Sequence, residues 1–168
     1  KGYEITEICP PNEKNAHYFT DLGIKLLTVP MSRKGTNIKE DLQLVKNLFK
    51  VYKKEKFDLV FHYTIKPNIY GTLAAKLAGI KSIAITTGLG YVFLHNNITS
   101  LIAKFMYKFS LAFANEVWFL NDDDMNIFLD KDLITERQAF KLPSEGINTK
   151  RFVPKEKNRK DSKTVFLM

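Results

Sequence analysis

Apolar residues recur along this chain in short runs and in helical stripes, and the two periods alternate almost throughout. Tyr3 to Cys9 (YEITEIC) alternates and breaks at Pro10-Pro11, which predicts a strand. A short helix is expected from Asn15 to Leu22, closed by Gly23, and a second strand from Ile24 to Val29, ended by Pro30. Ser32 to Asn37 is a turn-rich polar loop. Ile38, Leu42, Val45, Phe49 and Tyr52 then recur at spacings of four and three, predicting a helix from Ile38 to Glu55 with one apolar face. Asn37 with Glu40 three residues on is a variant capping box at its start. Lys39, Lys46, Lys50 and Lys53 share another face, whose ordinary meaning is solvation rather than a binding site.

The centre of the chain is Asp58 to Gly90. DLVFHY is a strand, and its continuous Leu59, Val60 and Phe61 suggest cover on both faces. Thr64 to Asn68 is a polar loop, and the helix 69–78 carries Gly71, Ala74, Ala75 and Ala78 before Gly79 stops it. A second β-rich run, SIAITT, opens into Gly88-Leu89-Gly90. Such a unit sets two loops side by side at the carboxyl edge of a parallel sheet, where open α/β sheets bind ligands.

Asn97 to Asn115 is the second long helix, with Ile98, Leu101, Ile102, Phe105, Phe109, Ala112 and Phe113 in one wide stripe and Lys104 and Lys108 on the polar side. A core-facing helix is the ordinary meaning of that stripe. An interfacial helix dipping into a membrane surface is the sharper one, because aromatic bulk beside lysines suits that role. Glu116 to Leu120 is a strand; Asn121 or Asp122 can cap the helix Asp123 to Leu129, whose acids suit a helix start better than a metal site. Ala139 to Leu142 is a short strand, and Lys155 to Lys163 a charged linker before a last β-like run to Met168.

Five or six strands alternating with helices, without a hairpin signal, predict an α/β fold: a Rossmann-like, doubly wound parallel sheet. The 168 residues allow one domain with a real core. No apolar run approaches the roughly 20 residues that span a bilayer. The one cysteine, Cys9, has no partner for an internal disulfide, which fits a reducing cytoplasm. The net charge of +8 predicts attraction to polyanions, anionic headgroups or phosphorylated substrates, unless it is only a lysine-rich surface.

Candidate chemistry gathers on the two central loops. His62 ends a predicted strand, where it would act as acid or base or else be a packed, hydrogen-bonded residue. Lys66 precedes Pro67 at a helix start, a setting for phosphate or carboxylate. Gly88 and Gly90 let backbone approach a phosphate or sugar closely. There is no GxGxxG in a strand-to-helix context, no P-loop, no HExxH and no GxSxG.

HYTIKPNIYGTLAAKLAGI followed by TTGLGYVF resembles the N-terminal domain of bacterial family 4 glycosyltransferases, retaining GT-B enzymes of capsule, O-antigen, exopolysaccharide and glycoprotein assembly. EIT through Pro11, SRKGTN, NDDD and LPSEGINTKRF match in order, and the subgroup resembled extends undecaprenyl-diphosphate-linked glycans, as its N-acetylgalactosaminyltransferases do. The family commonly has Gly-x-Gly where Ser144-Glu145-Gly146 stands, and some relatives carry a histidine where Thr86-Thr87-Gly88 stands. The resemblance implies that residues 1–154 are an acceptor-side domain lacking its first strand, and 155–168 a linker and first strand of a donor-binding domain. Such a fragment would be inactive alone.

The resemblance further implies a nucleotide-sugar as donor substrate, no cofactor and no metal, a polyprenyl-diphosphate-linked acceptor and a peripheral position at the inner face of the cytoplasmic membrane. Lys66 and Asn68 are expected near the acceptor, Thr87, Gly88 and Gly90 along the cleft and Glu145 facing it, with His62 and Thr64 as further candidates. Two rival functions remain: a GT-B sugar-nucleotide 2-epimerase, and a basic non-enzymatic nucleic-acid module. The second is disfavoured by lysines scattered over several elements without a nucleic-acid-binding motif, and no nucleic-acid partner is expected.

Overall fold

The computed structural model describes residues 2–11, 16–32, 37–90, 93, 97–143 and 146–153. Glu145, the loop residues 33–36 and the expected linker and last strand beyond 153 lie outside the described residues. The elements run β1 (Thr6–Cys9), α1 (Ala16–Asp21), β2 (Lys25–Thr28), α2 (Ile38–Glu55) and β3 (Leu59–Tyr63). A π-helical turn (Pro67–Gly71) leads directly into α3 (Thr72–Ala78). Then come β4 (Lys81–Thr86), α4 (Ile98–Leu111), β5 (Glu116–Phe119), α5 (Asp122–Asp130), a 3₁₀ turn (Glu136–Gln138) and β6 (Ala139–Lys141).

Every described strand pair is parallel. β1 pairs with β2 in one sheet, and β3-β4-β5-β6 form another in that order. The strand order breaks between the two sheets, which share a core with α2, and such a break in an open α/β fold is its topological switch point. The fold is the expected doubly wound parallel α/β type.

Local chemistry explains the helix ends. Asn37 Oδ1 accepts from the Lys39 N–H at 3.1 Å, and its Nδ2 donates to Glu40 Oε1 at 2.9 Å, so the two side chains cap α2 together. Asn121 Oδ1 accepts from the Asp124 N–H at 2.8 Å and caps α5, with three acids in its first turn. Gly79 ends α3 in the left-handed region and returns its N–H to Ala75 and Lys76 carbonyls.

Two faces differ from the sequence expectation. The buried residues of α2 are Asp41, Leu44, Leu48 and Tyr52, whereas Ile38 and Leu42 of the expected apolar face are exposed. The pattern misleads because one buried position is a carboxylate, held by partners distant in sequence. On α4 the expected stripe points outward: Ile98 is 77% and Phe105 69% exposed. Its core side is Ser100, Tyr107, Ser110 and Leu111. A core-facing stripe is thus ruled out, and the buried serines hide the true inner face from a binary pattern.

β3 is also covered on one face only by described residues. Val60 and His62 face α2 and α3, while Leu59, Phe61 and Tyr63 stay 39–48% exposed. On that open face Phe61, Trp118 and Phe140 form a row with ring centroids 5.6 Å apart at each step.

One core gathers Tyr107, Leu111, Val117, Phe119 and Phe128 between α4, α5 and the larger sheet. A second gathers Val29, Leu44, Leu48, Tyr52, Val60, Ala74 and Ala75, with Ile8 packed on it. α2 thereby touches both sheets. His62, 3% exposed, sits inside this second core. Its Nε2 lies 3.0 Å from Tyr52 Oη and its Nδ1 3.2 Å from Thr72 Oγ1. Burial lowers its pKa from 6.5 to about 4, so the ring is neutral near pH 7. The end of the π-turn lies so close that a Cβ on Gly71 would come within 2.6 Å of His62 Cδ2.

Two outcomes are expected. Gly71→Ala should destabilise by about 1–3 kcal/mol through that clash, although alanine is the better helix former, and most of the loss should vanish in a His62→Ala background. Urea melts of the single and double variants measure this; an uncoupled Gly71→Ala effect would refute the contact. For His62, the unfolded chain takes up a proton near pH 6.5 and the folded one only near pH 4. Between those values the unfolded state holds more protons, so stability falls as pH drops and is highest above pH 6.5. The full loss attributable to this group is about 3 kcal/mol, and His62→Gln should remove that slope from the stability profile.

Candidate functional site

The carboxyl ends of the strands set out the site. β1 ends at Pro10-Pro11 and β2 at Pro30, and prolines cannot continue a ladder through their own nitrogens. β3 leaves the sheet at Thr64, which adopts φ +71. A β-branched residue is rare in that region, and the strain is stored where the chain turns toward Lys66. The Asn68 N–H closes this turn on the Thr64 carbonyl at 3.0 Å.

A cavity of about 660 Å³ opens at the switch point. Pro10 and Pro11, Pro30 to Ser32, the first turns of α2 and Lys66 line it. Lys39, Gln43 and Asn47 add donors, and Glu40 and Asp41 add carboxylates, so the walls carry both signs and neutral amides. This suits a ligand with hydroxyls as well as an anionic group.

Lys66 is committed within the fold as well as placed on the wall. Its Nζ lies 2.7 Å from Asp41 Oδ1, and their side chains are only 16% and 8% exposed. Tyr70 Oη donates to Asp41 Oδ2 at 2.8 Å. Burial first, then the bond and charge of Asp41, push the Tyr70 phenol well above its ordinary pKa. Asp41 therefore joins α2 to the π-turn through both oxygens. Sequence reasoning missed Asp41 and Tyr70; an acid one and two turns before Leu44 and Leu48 was the available signal.

Asn68 is 1% exposed and points inward, donating from Nδ2 to the Ile85 carbonyl at 3.0 Å. It ties the π-turn to β4, and its Oδ1 has no hydrogen-bond partner among the described residues. Thr86 Oγ1, buried at the end of β4, is likewise unpartnered among them. Thr87, Gly88 and Gly90 are exposed on the loop after β4, and Thr64 is exposed on the loop after β3. The loops touch: a Cβ on Gly90 would lie 3.3 Å from Ile65 Cδ1, and Gly88 and Gly90 have φ of +155 and +64, open to glycine. Ile65, Leu89 and Phe93 pack on the core beneath them. Thus Thr64, Lys66, Thr87, Gly88 and Gly90 share one edge, Asn68 lies beneath it, and His62 is in the core. Among the described residues no group of three or more His, Cys, Asp or Glu side chains could hold a metal ion.

The fold has solved counterparts. HepE from Anabaena, in complex with UDP and glucose, superposes with a TM-score of 0.64 at 13% identity, over 86% of this chain and 38% of that one. MurG of Acinetobacter baumannii gives 0.58 at 14%, over 88% and 38%. UDP-GlcNAc 2-epimerase from Methanocaldococcus jannaschii gives 0.56 at 19%, over 82% and 36%. These place the fold with the N-terminal half of GT-B enzymes. By sequence, a UDP-Gal:alpha-D-GlcNAc-diphosphoundecaprenol alpha-1,3-galactosyltransferase of Escherichia coli is 24% identical over 153 residues, 90% of this chain. An N,N'-diacetylbacillosaminyl-diphospho-undecaprenol alpha-1,3-N-acetylgalactosaminyltransferase of Campylobacter jejuni is 30% identical over 152 residues, 86% of this chain. The chain spans 39% of the length of each. The family model for glycosyl transferase 4-like proteins matches residues 1–121, well over half of the chain, and the chain belongs to that family.

Proposed function

We propose that this chain forms the acceptor-side domain, within residues 1–154, of a retaining glycosyltransferase that moves a sugar from a nucleotide-sugar onto a lipid-diphosphate-linked glycan. The observation that carries this reading is the cavity at the switch point, with Lys66 on its wall and the Thr87–Gly90 loop at the same sheet edge. The two sequence relatives act on diphosphoundecaprenol-linked sugars, which favours that acceptor class. Among the described residues no helix is long and apolar enough to cross a membrane. The enzyme would meet its acceptor peripherally, at the inner leaflet, in polysaccharide or glycoprotein assembly.

On this reading Lys66 offers charge to the acceptor diphosphate while Asp41 holds its ammonium in place. Gly88 and Gly90 bring backbone to the substrate, and Thr87 and Thr64 present hydroxyls beside it. Asn68 acts from beneath, by fixing the π-turn to β4. Glu145 is assigned to the cleft by the family resemblance. Transfer needs no metal if basic side chains and helix N-termini meet the charge developing on the leaving diphosphate. A sugar-nucleotide 2-epimerase is the second reading, favoured by the structural likeness to one such enzyme. It would convert free nucleotide-sugar without an acceptor.

Product analysis with the complete enzyme, a UDP-sugar and a prenyl-diphosphate-linked sugar separates the two. Extension of the acceptor is expected; epimerised nucleotide-sugar alone would replace the transferase reading. Lys66→Met should lower transfer about tenfold or more, since a charge-assisted bond contributes roughly 1.5–3 kcal/mol. Gly88→Ala should lower it too, by straining a backbone at φ +155 that brings the loop to the substrate. Wild-type rates in both would remove the site assignment. Asp41→Asn should destabilise by about 3–5 kcal/mol by leaving Lys66 largely buried without its counter-charge, and Lys66→Met in the same chain should recover part of this. Additive losses in denaturant melts would show the pair to be uncoupled.

A further inference from the structure

We infer that the outward faces of α2, α3 and α4 together form one docking surface for an anionic lipid bilayer. This deepens the proposed peripheral membrane position, on which it rests, by assigning the surface to three helices rather than to α4 alone. On α4, Ile98, Leu101, Ile102, Phe105 and Phe109 are 51–77% exposed. On α3, Leu77 is 64% exposed, and on α2 Ile38 and Leu42 are 74% and 66% exposed. Leu77 closes the gap between helices: with Leu42, Val45 and Phe49 it lines an apolar groove of about 350 Å³. Lys76 bridges the other side, with its Nζ 5.6 Å from the centre of the Phe113 ring, which in turn lies 5.5 Å from that of Phe109 on α4. The apolar positions thus run from α2 across α3 to α4.

Charge selects the occupant. Helices α3 and α4 contain no acid, and α2 has none between Asp41 and Glu55. Asp41 is paired with Lys66, and Glu55 lies 2.5 Å from Lys25. Lys46, Lys76 and Lys108 stand exposed beside the apolar stripes. Exposed Phe and Leu rimmed by lysine match the boundary between acyl chains and acidic headgroups. A water-soluble protein partner would leave those lysines to be neutralised one by one. The stripes also start in the right place. In a parallel α/β unit each helix runs back against its strands, so α2, α3 and α4 begin near the carboxyl edge that holds the cavity. A prenyl chain lying in the bilayer would then present its diphosphate toward Lys66.

The test is co-sedimentation of the complete enzyme with phosphatidylglycerol-containing vesicles and with phosphatidylcholine vesicles, at low and high salt. Wild type should bind the anionic vesicles preferentially, and salt should weaken it. Leu42→Ser/Leu77→Ser and Phe105→Ser/Phe109→Ser should each reduce binding about tenfold, since each removes two apolar anchors. Both pairs are exposed, so melting midpoints should hold. Phe140→Ser, on the open sheet face, should bind like wild type. Unchanged binding by the Leu42/Leu77 variant would overturn the three-helix surface. So would salt-insensitive pelleting, or self-association without lipid that these substitutions abolish. Transfer to a water-soluble short-prenyl acceptor separates this inference from the transferase reading. Transfer without vesicle binding removes the surface and keeps the enzyme; vesicle binding without transfer to any acceptor does the reverse.

Discussion

Helix α2 holds together two sheets that share no ladder hydrogen bond among the described residues. Its Leu44, Leu48 and Tyr52 share one core with Ile8 and Val29 of the smaller sheet and its edge and with Val60, Ala74 and Ala75 of the larger sheet and α3. Apolar contact alone permits such a helix to slide or roll, because it is not directional. The polar bonds of the same face prevent this. Asp41 fixes the first turns to Lys66 and Tyr70, and Tyr52 fixes the last turns to His62. The cavity at the switch point keeps its shape only while these hold, since α2 forms one wall and Lys66 another. Stability and substrate geometry are therefore coupled at Asp41.

The sequence carried most of the architecture. The alternation of strand and helix periods, the proline stops and the caps at Asn37 and Asn121 placed most elements within a residue or two, and α2 to the residue, while β1 begins three residues later than expected and α4 ends four residues earlier. The side each helix turns inward was harder to read. The apolar stripe on α4 marks surface and that on α2 does so at Ile38 and Leu42, while a carboxylate and two serines lie inside. Such positions become legible only when the third dimension supplies their partners, as Lys66 does for Asp41. The π-helical form of Pro67–Gly71 was equally hidden, because nothing in a helical period distinguishes it.

At the site the division is similar. The two loops after β3 and β4 were expected side by side, and Gly90 against Ile65 shows them so. Residue roles depend on which way each side chain turns. Asn68 follows Lys66 by two positions, yet one is sealed beneath the edge and the other lines the cavity. Transferases and an epimerase share this fold, so the individual contacts at the edge, rather than the fold, separate their chemistries.

The π-turn also bears on how this protein can change in length. A π-turn is an α-turn carrying one extra residue. Deleting one residue there would restore a continuous α-helix, but rotate everything before it by about 100° relative to α3. Asn68 would leave the Ile85 carbonyl, and Lys66 would swing away from Asp41. The turn is therefore constrained in its count of residues as well as in the identities of Lys66, Asn68 and Gly71, whose contacts depend on that count.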